Sequence, residues 1–190
     1  MSSQPTTQLT PEEYLAIERR AEYKSEYIDG EMVAMTGASR RHNLIAANIT
    51  REIGQQLKGR PCEGYASRMR VRVPSVSFYI YPNVVVVCGE PQFEDDYVDT
   101  LLNPTLIVEV LSESTELYDR GKKFGFYRTI ESLAEYLLVA QDECRVEQYV
   151  KQPGGRWLLS DYRSMEDAVG LDSIQCSLVL REVYDKVSLP

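Results

Sequence analysis

Histidine is almost missing from this chain: among 190 residues there is one, His42. That excludes zinc centres built on several imidazoles. A Ser-His-Asp hydrolase would have to use His42, and no G-x-S-x-G elbow accompanies it. Cysteine is sparse too. Cys62, Cys88, Cys144 and Cys176 stand far apart and form no C-x-x-C pair. Neither a zinc site nor a disulfide framework is expected from such spacing. The four read as buried, reduced thiols, since free cysteine packs like a small hydrophobe. No run of about 18 apolar residues occurs, so no membrane span and no membrane partner are expected. The opening MSSQPTTQLTPEEY lacks the basic start and apolar centre of a secretory signal, which makes the cytoplasm the expected location.

Positive charge is also scarce overall, with a formal net charge of -8. Its distribution is uneven. Residues 40–72 hold eight Lys and Arg against Glu52 and Glu63, an excess of +6. Such asymmetry points to an anionic partner or to a solvated basic face. The acidic stretch with Glu90, Glu94, Asp95, Asp96 and Asp99 reads as solvated surface. Thirteen tyrosines hint at a protein interface, where Tyr is enriched.

The pattern of elements is mixed. LTPEEY starts a helix with Thr10 as cap, Pro11 in the first turn and Glu13 closing a capping box. SEYIDGEMVAM predicts a hairpin around Asp29-Gly30. In SRRHNLIAANITREIGQQLKG, Ile45, Ile49, Ile53 and Leu57 mark an amphipathic helix from Ser39 to Gly59. Three strand-like stretches follow: SRMRVRVP, SFYIYPNVVVVC and PTLIVEVLS. Alternation puts Arg68, Arg70 and Arg72 on one side of the first. A second helix is predicted over 115–131, then the strands AEYLLVA, CRVEQYV and WLLSDY. The tail reads as a short strand and a helical turn. This is one α/β (α+β) domain over 1–190, a mixed sheet with helices against it.

Three residues stand out chemically. Glu109 shares one face of its apolar strand with Ile107 and Leu111. A carboxylate there needs a cation, a donor network or a metal, because an unpaired buried charge is too costly. Asn83 follows Pro82 at the start of the most apolar stretch, where Asn on its own simply shapes a turn. Asp119, Lys123 and Tyr127 lie four apart and form one helical stripe. Such a stripe is most simply a solvent face with a weak ion pair.

YIDGEM, YPNVVVVC, LIVEVLSEST, DRGKKFGFY and EYLLV occur in an order and spacing that resembles the Uma family of restriction-endonuclease-like proteins, within the PD-(D/E)XK nuclease superfamily. The likeness covers about residues 10–185. It implies a restriction-endonuclease-like αβββαβ core preceded by an N-terminal helix and hairpin. It also implies a divalent-metal-dependent DNA endonuclease that hydrolyses phosphodiester bonds, weakened because Asn83 stands where the family has Asp. The implied catalytic residues are Glu109, Lys123, Asn83 and Glu26. The lysine expected two residues after the Glu is Leu111 here, and Lys123 from the following helix takes its place. The implied metal ligands are Asn83, Glu109 and the carbonyl of Val110, holding Mg²⁺ or Mn²⁺ weakly. Arg68, Arg70, Arg72, Arg40 and Arg41 are expected to hold phosphates, and a homodimer is expected. Two rival readings accompany this one: a catalytically inactive nuclease-fold module that binds nucleic acid or regulates, and a protein-interaction domain with no nucleic-acid role, suggested by the overall acidity and favoured if Glu109 and Lys123 point apart.

Overall fold

The structure, a computed structural model, describes residues 8–35, 37–112 and 115–190. Thr10 accepts from the Glu13 N–H and Glu13 accepts from the Thr10 N–H, so the capping box opens α1 (Pro11–Glu18) as predicted. β1 (Ser25–Ile28) and β2 (Glu31–Ala34) form the predicted hairpin. Its turn places Asp29 at φ 51° and Gly30 at φ 91°, the left-handed pair that a tight two-residue turn requires. Ser39 caps α2 (Arg40–Gln56).

The strands are β3 (Cys62–Ala66), β4 (Arg70–Val73), β5 (Phe78–Ile80), β6 (Val84–Cys88), β7 (Thr100–Leu101) and β8 (Leu106–Val110). Next come α3 (Glu116–Tyr118), a π-turn at Asp119–Lys123 and α4 (Phe124–Tyr127). The chain ends in β9 (Glu135–Val139), β10 (Val146–Lys151), β11 (Trp157–Tyr162), β12 (Ala168–Leu171), β13 (Cys176–Val179) and α5 (Leu180–Val183).

A six-stranded sheet runs in the order β11-β10-β9-β8-β6-β3, and a five-stranded sheet in the order β2-β1-β5-β4-β7. The first sheet holds the expected core: α2, β3, β6, β8, the broken helix and β9, with β8 and β9 parallel. Both its faces are covered. Ile45, Ile49 and Ile53 of α2, with Leu57 at its C-cap, pack on Val84, Val86, Leu106 and Val108. Val85, Val87 and Ile107 face the opposite way, against Leu111, Tyr127, Tyr136 and Leu138. A strand buried on both sides has no polar face, which is why four valines run together.

Several expectations are corrected. SFYIYPNVVVVC is two strands in two sheets; the chain crosses between them at residues 81–83. SRMRVRVP supplies β4 of the smaller sheet and none of the αβββαβ strands, though Val71 and Val73 are buried. The first core strand is β3, an edge strand paired to β6; it is mostly exposed, so it shows no apolar alternation. The helix over 115–131 is interrupted by the π-turn. Cys62 and Cys88 stand opposite each other in the β3–β6 ladder and form a disulfide. Twenty-six residues of separation hid this cross-strand neighbourhood, while Cys144 and Cys176 are free thiols. Seven of the thirteen tyrosines are buried, including Tyr14, Tyr27, Tyr79 and Tyr136, so about half of them pack the core. Among the described residues no helix is long and apolar enough to cross a membrane.

Candidate active site

Glu109 ends the apolar run of β8, one residue before the strand stops. Its side chain lies on the face of Ile107, and 4% of the residue is exposed. Lys123 meets it there: Nζ is 2.9 Å from Glu109 Oε1. The two side chains therefore do not point apart, the arrangement that would have favoured a protein-interaction domain. The Tyr127 hydroxyl donates to the same Oε1 at 2.8 Å. Lys123 Nζ also lies 3.4 Å from Asp119 Oδ1 and 3.5 Å from Glu26 Oε1.

Each group arrives for a local reason. The π-turn widens the helix between Asp119 and Lys123, and both are buried. Single π-turns inside α-helices recur at functional sites. Tyr127, one turn on, completes the stripe, so the stripe faces inward and not toward solvent. The Tyr136 hydroxyl donates to the Asp119 carbonyl at 3.2 Å and anchors the turn. Glu26 comes from β1 of the other sheet, and its Oε1 accepts the Tyr81 N–H at 3.3 Å. The crossing at residues 81–83 thus joins both sheets to one point.

Asn83 lies at that crossing. Its Oδ1 accepts the Val110 N–H at 2.7 Å. The expected neighbourhood of Asn83 and Glu109 is therefore present, with β6 and β8 paired at Val84–Val108. The side chain of His42, in the first turn of α2, lies within hydrogen-bonding reach of the Val110 carbonyl and the Asn83 side chain. Burial lowers the imidazole pKa, so the ring is neutral near pH 7.

The electrostatics are one-sided. Three carboxylates face one ammonium. Burial pushes Glu109 up to about 7; Lys123 pulls against that, while Asp119 and Glu26 add to it. Burial alone would lower Lys123, but Glu109, Glu26 and Asp119 outweigh it and keep the amine protonated.

Among the described residues, no three His, Cys, Asp or Glu side chains gather as a ready-made metal cage. Magnesium does not require one. It binds through one or two carboxylates and retains waters. Glu109 and the Val110 carbonyl, with Asn83 Oδ1, are all oxygen donors, and the surplus of negative charge beside them suits a hard cation. The donor chemistry fits.

The arginines divide. Arg70 is buried: Nε donates to Thr100 Oγ1 at 2.9 Å, Nη1 to the Tyr81 hydroxyl at 3.0 Å, and Nη2 lies 2.9 Å from Asp99 Oδ2. Arg72 is paired with Glu94 at 2.5 Å. The expectation that these two hold phosphates is corrected, because alternation along a strand tells which side a residue takes and not whether that side is covered. What covers it is part of the acidic stretch: Glu94, Asp95 and Asp99 bind Arg72, Arg19 and Arg70, while Glu90, Asp95 and Asp96 are exposed as expected. Arg68 and Arg40 are exposed and Arg41 is half-buried. Arg40 and Arg41 line a cavity of about 590 Å³ with Ser39, Leu111, Ser112 and Gln141, beside the end of β8.

Sequence reasoning missed Asp119, Tyr127 and His42 as members of this site. The spacing of Asp119, Lys123 and Tyr127 was a visible signal, whereas nothing local marked His42.

The class of protein follows from the fold. A crystal structure of a putative nuclease belonging to DUF820 from Anabaena variabilis superposes with a TM-score of 0.78 at 16% identity, covering 95% of this chain and 99% of that one. This chain thus shares its mixed α/β fold with that protein. More particularly, residues 11–182 match the pattern of the Uma2 family, described as putative restriction endonuclease, and the chain belongs to that family. Two relatives come from Synechocystis sp. The uncharacterized protein sll1609 is 43% identical over 80% of this chain and 86% of its own length. The uncharacterized protein slr1290 is 36% identical over 96% and 94%.

Proposed function

We propose that this protein is a divalent-metal-dependent DNA endonuclease working at the Glu26–Glu109–Lys123 centre. One observation carries this reading: a buried lysine held by three carboxylates, at the end of a core strand, in a restriction-endonuclease family. Glu109, the Val110 carbonyl and Asn83 would hold Mg²⁺ or Mn²⁺, which supplies charge neutralisation at the scissile phosphate and a more acidic water. Lys123 has three N–H donors and three carboxylate partners. Release of one partner leaves a donor to hold the attacking water and to stabilise the charge that develops on the phosphate. Tyr127 keeps Glu109 Oε1 oriented. Asn83 is neutral, so the cation is held less tightly than an aspartate would hold it. Of the five arginines expected to hold phosphates, Arg40, Arg41 and Arg68 have no ion pair among the described residues and could contact the DNA backbone, which positions but does not read sequence. A homodimer would place two such centres on the two strands, and light scattering tests it: a monomeric mass alone would refute the pairing.

Asn83 supports a second reading, a nuclease fold that binds nucleic acid without cutting it. Its Oδ1 already accepts the Val110 N–H, so it works as a structural tie between β6 and β8. Plasmid cleavage with Mg²⁺ and with Mn²⁺, native against Asn83→Asp, separates the two. Cleavage by both proteins supports the enzyme. Cleavage by the Asp variant alone supports the non-cutting module and shows the rest of the centre competent. Cleavage by neither overturns the enzyme reading, and a salt-sensitive gel shift would then carry the second.

A further inference from the structure

We propose that the cleft beside Tyr81 holds one unpaired nucleotide of a DNA strand, with its phosphate on Lys24 and Arg68 and its base against Tyr97, so that the preferred substrate carries a single-stranded segment. The proposal rests on DNA as the ligand, as in both readings above, and names the form of that DNA. The cleft has a volume of about 360 Å³. That is the low end of small-ligand pockets, room for about one nucleotide. Arg19, Lys24, Arg68 and Arg70 line it together with Glu18 and Asp99, and the charges are unevenly paired. Glu18 is taken up by the Ser25 N–H and the Tyr81 hydroxyl. Asp99 is taken up by Arg19 and Arg70. Lys24 and Arg68 have no ion pair among the described residues. Lys24 is half-buried, and its Nζ stands 3.8 Å from the centre of the Tyr81 ring. Burial lowers its pKa, and Arg70 and Arg68 add to this against Glu18. A phosphate shared by Lys24 and Arg68 would reverse that cost.

Tyr97 lines the same cleft and is 72% exposed, yet it is held firmly. The Arg19 guanidinium lies over its ring at 4.0 Å. That guanidinium is itself fixed by Asp95 at 2.8 Å and Asp99 at 2.9 Å. The Tyr97 N–H donates to Asp95 Oδ1 at 3.1 Å. Val98, next in the chain, takes φ 56°, a left-handed backbone that is unfavourable for a β-branched residue. Strain of this kind gathers at ligand clamps. Ordering an exposed ring gains the folded chain little packing. It does prepare a platform on which a base can stack, and such stacking tolerates any base. Tyr81 ties the cleft to the catalytic centre, since its ring lies under Lys24 and its backbone N–H donates to Glu26 Oε1 at 3.3 Å. The held nucleotide therefore lies on the Glu26 side of that centre. A base engaged in a pair cannot enter a cleft of this size, whereas a flap, a gap or a frayed end supplies a free one.

Fluorescence anisotropy of the full chain with a labelled oligothymidylate, and with a blunt duplex of the same length, tests this in EDTA, where nothing is cut. The expected result is single-strand binding about tenfold or more tighter than duplex binding. Tyr97→Ala should weaken single-strand binding about tenfold, and Tyr97→Phe should keep native affinity, because a phenyl ring stacks as well. Lys24→Gln should lower the salt dependence of single-strand binding by about one phosphate contact. Equal affinity for the two DNAs, or single-strand binding untouched by Tyr97→Ala or by Lys24→Gln, would overturn the subsite and leave DNA binding standing. No binding of either DNA at low salt would overturn both. If Tyr97→Ala fails to fold, as judged by circular dichroism, the native preference and the Lys24→Gln salt dependence still decide.

Discussion

Two buried clusters of charge lie at the two ends of Tyr81, and they are built on opposite principles. The Tyr81 backbone N–H donates to Glu26 in the Lys123 cluster. Its hydroxyl accepts from Arg70 and donates to Glu18 in the other. Around Arg70 each named acid has its own donors, and two arginines share the load. Both Glu18 oxygens accept the Ser25 N–H, and Asp99 accepts from Arg19 and the Thr100 hydroxyl. Around Lys123 three acids share one base. A balanced buried cluster is what a fold needs to close over charged side chains. An unbalanced one costs stability, and it persists where the surplus charge is used.

The largest effect on stability tests the balanced side. Arg70→Met is expected to lower folding stability by about 1–3 kcal/mol, because the buried Tyr81 and Thr100 hydroxyls each lose a charged donor, while Asp99 keeps Arg19 and water. Urea unfolding measures it. A variant as stable as the native protein would erase the contrast between the clusters.

The second effect tests the unbalanced side. Glu109→Gln keeps the shape and removes one of three negative charges, and Lys123 retains Asp119 and Glu26. Stability is expected to stay within about 1 kcal/mol of native, since the pair removed was over-supplied with charge. Plasmid cleavage should fall about 10²–10³-fold, the scale set by loss of one preorganised electrostatic contact. A Gln variant that unfolds easily while cutting normally would reverse the assignments of the two clusters.

Much of the Lys123 cluster was visible in the sequence, and the Arg70 cluster was not. Glu109 declared itself because a carboxylate interrupts an apolar strand. Lys123, Asn83 and Glu26 came from the family likeness, since their own spacing was ambiguous. A four-residue stripe looks the same whether it faces water or a core, so Asp119, Lys123 and Tyr127 read as surface. The π-turn that turns two of them inward has no sequence signature of its own. Arg70 and Arg72 read as a phosphate-binding stripe because their partners Asp99 and Glu94 are more than twenty residues away. Pro82-Asn83 looked like a strand entry, but the period of two continues on both sides of it and conceals the change of sheet. The αβββαβ order was legible; which stretch supplied its first strand was not, because β3 is an exposed edge.

The smallest effect also gives the sharpest contrast, since the two clusters should respond to pH with opposite sign. Asp99 is held below its ordinary pKa, chiefly by its hydrogen bond with Arg19 and, against the pull of burial, by Arg70. The folded protein therefore binds that proton less readily than the unfolded chain. Its contribution is complete above about pH 4 and is lost as pH falls through the folded value. Asp99 is about a third exposed, so solvent screening holds the gain to about 1 kcal/mol or less. Glu109 lies on the other side of its ordinary value, at about 7. The folded protein binds that proton more readily, so native Glu109 carries no penalty below about pH 4.5 and a growing one as pH rises through 7. Urea unfolding in the presence of a chelator, carried from about pH 1 to about pH 8 so as to pass both folded values, reads both. Asp99→Asn should differ most from native near neutrality and converge with it in acid. Glu109→Gln should match the native pH dependence in acid and gain on it as pH rises. Parallel curves for the two variants would mean that the carboxylates around Lys123 are as well compensated as those around Arg70.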